Sequence, residues 1–140
     1  MGGVRVPGSI GAQGHSDADV LTHAVADAIL GAAALGDLGS FFPDTDPQWK
    51  DANSLDLLER CIGELHAAGF HVENVDATIV LESPKIAPHL HAMRENLSVR
   101  LGIPLERTSV KAKTSEGMGY TGDGSGIAAY AVAVIAERAQ

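Results

Sequence analysis

Only one cysteine, Cys61, occurs in the 140 residues, and aromatic residues make up 4% of them. One thiol excludes an intrachain disulfide framework, and its place within an amphipathic pattern reads as a small buried hydrophobe. With so few aromatic rings the core must be built from Ala, Val, Ile and Leu. These pack closely but bury little area each, so the domain is expected to lean on oligomerisation for further burial. Positive charge is scarce too: ten Lys plus Arg against eighteen Asp plus Glu leave a net charge of −8. That argues against a nucleic-acid partner, whose binding face needs a basic footprint. It also sets a condition on any phosphate site, which must rely on backbone N–H groups, a helix N-terminus or divalent cations. No apolar run is long enough to span a membrane and no signal peptide is read, so the expected location is cytoplasmic.

The chain reads as one domain over residues 1–140, with 45% hydrophobic and 20% charged residues, ordinary globular values. Residues 1–7 read as the end of a strand cut short, followed by a Gly-rich loop over residues 7–14. Ser16 is a good N-cap for a first helix, with Asp19 as the acidic partner of a capping-box variant. Residues 37–53 form a long loop containing Phe42-Pro-Asp-Thr-Asp-Pro47, where two prolines forbid regular structure. Asn53 or Ser54 caps a second helix, which stops at Gly69. Residues 70–81 alternate as a strand, with Val75, Ala77, Ile79 and Leu81 on one face. Residues 90–101 form a third helix ending at Gly102, residues 108–113 a short strand, and residues 126–136 a closing strand, though their Ala content also permits helix. Residues 114–126 are a second loop, rich in Gly, Ser and Thr. The order predicts an α+β (α/β-like) fold, a mixed four-stranded sheet with helices on one face and a truncated first strand.

The densest chemistry lies at His15-Ser-Asp-Ala-Asp19 and His23. His23 stands four residues from both Asp19 and Asp27, on one helical face, and an imidazole oriented by a carboxylate is the usual build of a metal-binding histidine. A solitary His is no metal site, and His23 reads equally as incidental. His15 and Ser16 sit where free N–H groups and the helix dipole favour an anion; capping alone explains them too. Asp37, Asp44 and Asp46 share one loop, able to hold a substrate hydroxyl or a hard cation or simply to form turns. Ser83-Pro-Lys85 follows a strand, a place suited to backbone recognition of a base or head group. Lys111 and Lys113 lead into Thr114-Ser-Glu116, whose carboxylate suits Mg²⁺; each read singly is a solvated edge. His89-Leu-His91 faces two directions on a helix and counts as surface, as do His66 and His71, for which no partner is read.

In order, these segments resemble the 2-C-methyl-D-erythritol 2,4-cyclodiphosphate synthase family of the non-mevalonate isoprenoid (terpenoid) pathway. The matching pieces are Gly2-Gly-Val-Arg-Val-Pro7, His15-Ser-Asp-Ala-Asp19 with His23-Ala-Val-Ala-Asp27, Leu30-Gly-Ala-Ala-Ala-Leu-Gly-Asp-Leu-Gly39 and Phe42-Pro-Asp-Thr-Asp-Pro47. Asn74-Val-Asp76, Pro84-Lys85 with Pro88-His89, Met93-Arg94, Lys111-Ala-Lys-Thr-Ser-Glu116, Gly119-Tyr-Thr-Gly122 and Gly126-Ile-Ala128 complete them. The resemblance implies a phosphorus–oxygen lyase, a homotrimer with active sites shared between neighbours. It would convert 4-diphosphocytidyl-2-C-methyl-D-erythritol 2-phosphate to the 2,4-cyclodiphosphate and CMP, using divalent metal: zinc, with magnesium or manganese. That would relieve the difficulty of the negative charge.

By match, His23 would ligate zinc and Glu116 magnesium. His15 and Thr114 would be catalytic, with His15 and Ser16 on the substrate phosphate. Asp37, Leu38, Gly39, Phe42, Pro43, Asp44, Thr45 and Asp46 would surround the methylerythritol part. Leu81, Glu82, Ser83, Pro84, Lys85, Ile86 and Ala87 would receive cytosine, and Lys113, Ser115 and Tyr120 would complete the substrate contacts. The family's first strand, with an Asp-x-His giving two further zinc ligands, has no counterpart here. The chain is therefore expected to be N-terminally incomplete, to bind zinc poorly and to leave a sheet edge unpaired. The other implied reading is an impaired trimer that retains only nucleotide or isoprenoid binding. Asp123 stands where members often carry Arg, and Lys113 where a neutral residue is usual, so Lys113 is expected to replace part of that lost charge.

Overall fold

The computed structural model describes residues 1–7 and 19–139. Among them the elements are α1 (Val20–Ala32), α2 (Leu38–Phe41), α3 (Ser54–Ala67), β1 (Phe70–Val80), α4 (Leu90–Leu101), β2 (Thr108–Lys113), α5 (Gly119–Gly122) and β3 (Ala128–Glu137). Short 3-10 turns at Pro47–Trp49, Ala87–His89 and Leu105–Arg107 connect them.

The sheet runs β2-β1-β3. β1 lies parallel to β2, with Val75 opposite Thr108, and antiparallel to β3, with Val80 opposite Ala128. The expected mixed α+β sheet is there, but with three strands among the described residues rather than four. Residues 1–7, read as a strand remnant, make a turn instead, with the Val4 N–H donating to the Met1 carbonyl at 2.9 Å. The reason is local: Gly2 and Gly3 have φ of +56° and +72°, a left-handed backbone that no strand accommodates. Side chains could not be added there. A Cβ on Gly2 would lie 2.8 Å from Met93 Cβ, and one on Gly3 would lie 2.4 Å from Leu55 Cδ1.

Period-two alternation in β1 turns Val75, Ala77 and Ile79 inward. In α3 the buried stripe is Leu57, Leu58, Cys61, Ile62 and Leu65. In α4 it is Met93, Leu97 and Leu101, one residue per turn. With Leu21, Val25 and Ile29 of α1, these side chains, Leu57 apart, share one cluster with Val110 of β2. Helices therefore cover one face of the sheet. On β3 the other face leaves Tyr130, Val132 and Val134 exposed. No helix among the described residues is long and apolar enough to cross a membrane.

Helix ends follow their caps. Asn53 accepts from the Leu55 N–H at 2.9 Å to open α3, and left-handed Gly102 closes α4. The first helix differs from expectation. Its N-cap is Asp19, whose carboxylate accepts from the Thr22 N–H at 3.1 Å, and it begins at Val20 rather than at Ser16. Ser16 lies outside the described residues. Two cap-competent residues stand three apart here. Asp19 has the further partners that decide between them, accepting from the Gly2 and Gly3 N–H groups at 2.8 and 2.9 Å.

Candidate functional site

One exposed face of α1 organises the first half of the site. His23 and Asp27, one turn apart, each hold one end of the segment that links α1 to α3. The His23 Nε2 shares a 2.8 Å hydrogen bond with the Ser54 hydroxyl at the start of α3. The Asp27 carboxylate accepts from the Leu38 N–H at 2.7 Å, at the start of α2. Residues 38–54 are thus a loop with both ends fixed on one helical face, partly helical where the prolines had predicted none. Asp37 accepts from both the N–H and the hydroxyl of Ser40, at 2.9 and 2.7 Å. The Ser40 hydroxyl, then its N–H, holds the Asp37 carboxyl below its ordinary range. Asp46 accepts from the Gln48 N–H and side-chain amide at 3.1 and 2.7 Å. Both therefore act as turn formers, while Asp44 and Thr45 between them are exposed. Within the loop, Phe42 meets Trp49 edge to face with centroids 4.8 Å apart. The Arg60 guanidinium, on α3, stands 5.1 Å from the Trp49 ring centroid.

The second half lies at the carboxyl ends of the two parallel strands, the usual place for a ligand in such sheets. Leu81, Glu82, Pro84, Lys85, Ile86 and Ala87 close a cavity of about 190 Å³ together with Ala112, Lys113 and Thr114. The Leu81 N–H donates to the Lys113 carbonyl at 3.0 Å, which extends the ladder past β1 and keeps the two walls in register. Buried Ile86 anchors the turn, and the Ser83–Pro84 peptide is cis. The lining is mostly apolar and includes Lys85 and Lys113, which suits a flat base attached to phosphates.

Beyond Thr114 the chain turns sharply. Glu116 has φ +51°, and its N–H donates to the Thr114 hydroxyl at 3.4 Å. Its carboxylate is exposed. The Ser115 and Thr121 hydroxyls hydrogen-bond across this loop. Tyr120 is exposed, and its ring lies where a Cβ on Gly126 would fall, 2.5 Å away. Asp123 is occupied within its own turn, accepting from the Ser125 N–H at 2.8 Å.

The structure thus brings residues 81–87 together with 112–114, and it joins His23 to the loop carrying Asp37, Asp44 and Asp46. The cavity takes no lining residue from that loop. His15 and Ser16 lie outside the described residues. Among those described, no three His, Cys, Asp or Glu side chains stand together to hold a metal ion. His23 is one candidate ligand, and the described residues do not fit the three-ligand requirement of catalytic zinc. Sequence reading missed Ser54 as the partner of His23, Ala112 as cavity wall, and the Trp49–Arg60 contact. The only available signal was that Trp49 is the chain's one tryptophan. It also left His71 without a partner, whereas His71 pairs with Glu73 at 2.6 Å.

The family model described as the YgbB family matches residues 1–136. The chain belongs to the YgbB family. Among its relatives, the 2-C-methyl-D-erythritol 2,4-cyclodiphosphate synthase of Trichlorobacter lovleyi is 54% identical over 135 residues, covering 96% of this chain and 86% of that protein. The synthase of the same name from Symbiobacterium thermophilum is 55% identical over 138 residues, covering 99% and 88%. Of solved structures, the bifunctional IspDF of Campylobacter jejuni superposes with a TM-score of 0.92 at 38% identity. The match covers 97% of this chain but 37% of that longer protein. A 2C-methyl-D-erythritol-2,4-cyclodiphosphate synthase in its CDP-bound form gives a TM-score of 0.87 at 36% identity, covering 96% and 87%.

Proposed function

We propose that this YgbB-family chain is a 2-C-methyl-D-erythritol 2,4-cyclodiphosphate synthase. Its substrate would be 4-diphosphocytidyl-2-C-methyl-D-erythritol 2-phosphate. An oxygen of the 2-phosphate attacks the β-phosphorus, forming the new P–O bond. The bond from the β-phosphorus to the oxygen bridging it to the α-phosphate breaks, and CMP leaves with that oxygen and its electron pair. The observation that carries this reading is the cavity at the ends of β1 and β2. It assembles the segments expected to take the cytidyl group, in a fold shared with a CDP-bound relative.

In such chemistry the protein mainly positions groups and neutralises charge. Residues 83–87 would offer backbone groups to the edge of cytosine, and Lys113, on β2, would meet the diphosphate, supplying the positive charge that Asp123 does not. Thr114 and His15 are the candidates for stabilising charge in the transition state, with Ser16 on the 2-phosphate. Asp44 and Asp46, on the loop tied to α1, would accept hydrogen bonds from methylerythritol hydroxyls, with Tyr120 beside the substrate. Glu116 has the exposed carboxylate to hold a magnesium or manganese ion, which usually takes one or two protein carboxylates and completes its shell with phosphate oxygens; bound there, it would neutralise the two phosphates. No step is routed through zinc, for which His23 is a candidate ligand.

The same reading makes the protein a homotrimer with sites shared between copies. It is supported by the separation of the cavity from the aspartate loop within one chain, and by the exposed apolar face of β3. The test is incubation of the purified chain with the cytidyl substrate, Mg²⁺ and Zn²⁺, following CMP by chromatography and the cyclic diphosphate by ³¹P NMR. Both products are expected in equal amounts, and Lys113→Ala is expected to raise KM. Absence of both products overturns the synthase reading, and CDP binding without turnover would establish the binding-only alternative.

A further inference from the structure

We propose that Arg60 and Trp49 are positioning residues for the aspartate-bearing loop, a role that rests on the synthase reading of that loop. Residues 38–54 are anchored at both ends, by Asp27 on the Leu38 N–H and by His23 on the Ser54 hydroxyl. Between these anchors the loop carries Asp44, Thr45 and Asp46, and the last of these caps the turn Pro47–Trp49. The turn delivers Trp49 outward from the loop and against α3, where the Arg60 guanidinium stands 5.1 Å from its ring centroid. Phe42 meets the same ring edge to face, with centroids 4.8 Å apart. Phe42 and Trp49 flank the Asp44–Asp46 segment in sequence, so their contact closes that segment into a small ring of chain. Arg60 then pins the ring to a rigid helix.

An edge-to-face aromatic pair and a cation over an indole face both have defined geometry, unlike generic apolar contact. They hold the loop at one distance from α3 as well as holding it down. Without Arg60 the two end anchors remain and the loop keeps its fold, but its middle is free to move. Ordering it again on substrate binding would then be subtracted from affinity. Chemistry at the diphosphate, which involves residues elsewhere, would proceed as before once substrate is bound. The signature is therefore a rise in KM with little change in kcat. A cation–π contact at an exposed site is a modest interaction, which sets the expected rise for Arg60→Ala at about two- to fivefold. Trp49→Leu removes both ring contacts, and its rise is expected to reach about tenfold.

Trp49 is the only tryptophan, so its emission reports on this contact without labelling. The experiment compares the wild-type chain with Arg60→Ala, Arg60→Lys and Trp49→Leu. It measures KM and kcat with the cytidyl substrate and, where Trp49 is kept, acrylamide quenching of its fluorescence. Arg60→Ala is expected to raise KM about two- to fivefold, leave kcat within about twofold, and increase quenching. Arg60→Lys, which keeps a cation over the ring, is expected to recover most of both effects. Arg60 is exposed on α3, so its replacement leaves the core intact. An unchanged KM in Arg60→Ala overturns the proposal while leaving the synthase reading in place. So does a fall in kcat as large as the fall in kcat/KM, or a lysine variant no better than alanine. Absence of turnover in the wild-type chain overturns the synthase reading, and this role with it.

Discussion

Asp19 shows how one carboxylate can set the geometry of a whole corner. It is 5% exposed and accepts from the N–H groups of Gly2, Gly3 and Thr22 and from the Thr22 hydroxyl. Burial opposes its ionisation. The Met1 ammonium and the N–H groups of Thr22, Gly3 and Gly2 outweigh that, and its pKa lies below the ordinary value. Asp19→Asn keeps the shape but replaces an acceptor oxygen with an N–H₂ group facing donors. It is expected to cost about 1–3 kcal/mol, read from the urea midpoint at pH 7. The sign of the pH dependence follows from the depressed pKa. The contribution is complete above the unfolded value, about 4, and is lost as pH falls through the lower folded value. The gap between wild type and variant should thus be constant from pH 7 down to about pH 5 and narrow under stronger acid. A gap that widens in acid would contradict this assignment. Cys61 is the opposite case. Burial, with the carboxylates of Asp27 and Glu64, pushes its thiol up to about 12, so it serves packing rather than nucleophilic chemistry.

At the scale of elements, the loop after β2 depends on one close approach. A Cβ on Gly122 would lie 2.4 Å from the carbonyl carbon of Gly117 and 2.9 Å from its Cα. Both are backbone atoms with no rotamer to yield. Gly122→Ala must therefore push the turn holding Glu116 and Gly117 away from α5. Overpacking of this kind costs about 1–3 kcal/mol, and because the displaced turn carries Glu116, KM is expected to rise with it. A variant with a lower melting temperature but unchanged KM would separate that turn from the substrate site. Nothing local in the sequence announced this contact, whereas other elements were plain. The bounds of α4 and β2 were legible because Gly102 and Pro104 stop one and alternation marks the other. The start of α1 was misread because Ser16 and Asp19 are equally good caps by local rules, and the deciding partners, Gly2 and Gly3, are remote in sequence. For the site, the segments 81–87 and 113–114 could be chosen only through ordered resemblance, since each alone reads as a solvated edge. The Trp49–Arg60 contact joins a loop to a helix without periodicity, so it became visible only in three dimensions.

At the scale of the whole molecule, the described elements leave a face of β3 uncovered. On β3 the side chains of Tyr130, Val132 and Val134 are 64%, 70% and 53% exposed. Their register partners on β1 are Thr78, Asp76 and Asn74. Beyond them Lys111 of β2 pairs with Asp76 at 2.9 Å, and the Lys111 hydrogen bond foremost lowers the Asp76 pKa. The open face is thus an apolar column beside a paired, polar one, the pattern of an interface with a dry core and a charged rim. In the proposed homotrimer this face would meet its copies, supplying the burial that a core so poor in aromatics leaves wanting. Val132 lies at the middle of the column, so Val132→Glu tests the assembly with little effect on the single chain. The glutamate would sit beside Asp76, solvated in a monomer but desolvated next to a like charge in an interface. Sedimentation velocity at micromolar concentration should show three copies for wild type and a shift to monomer for the variant, with unchanged far-ultraviolet circular dichroism. Because the cavity and the aspartate loop would meet only across copies, turnover should fall in step with the trimer fraction. A variant that stays trimeric would show that this face is not the interface, and a monomeric one with full turnover would show that the site is completed within one chain.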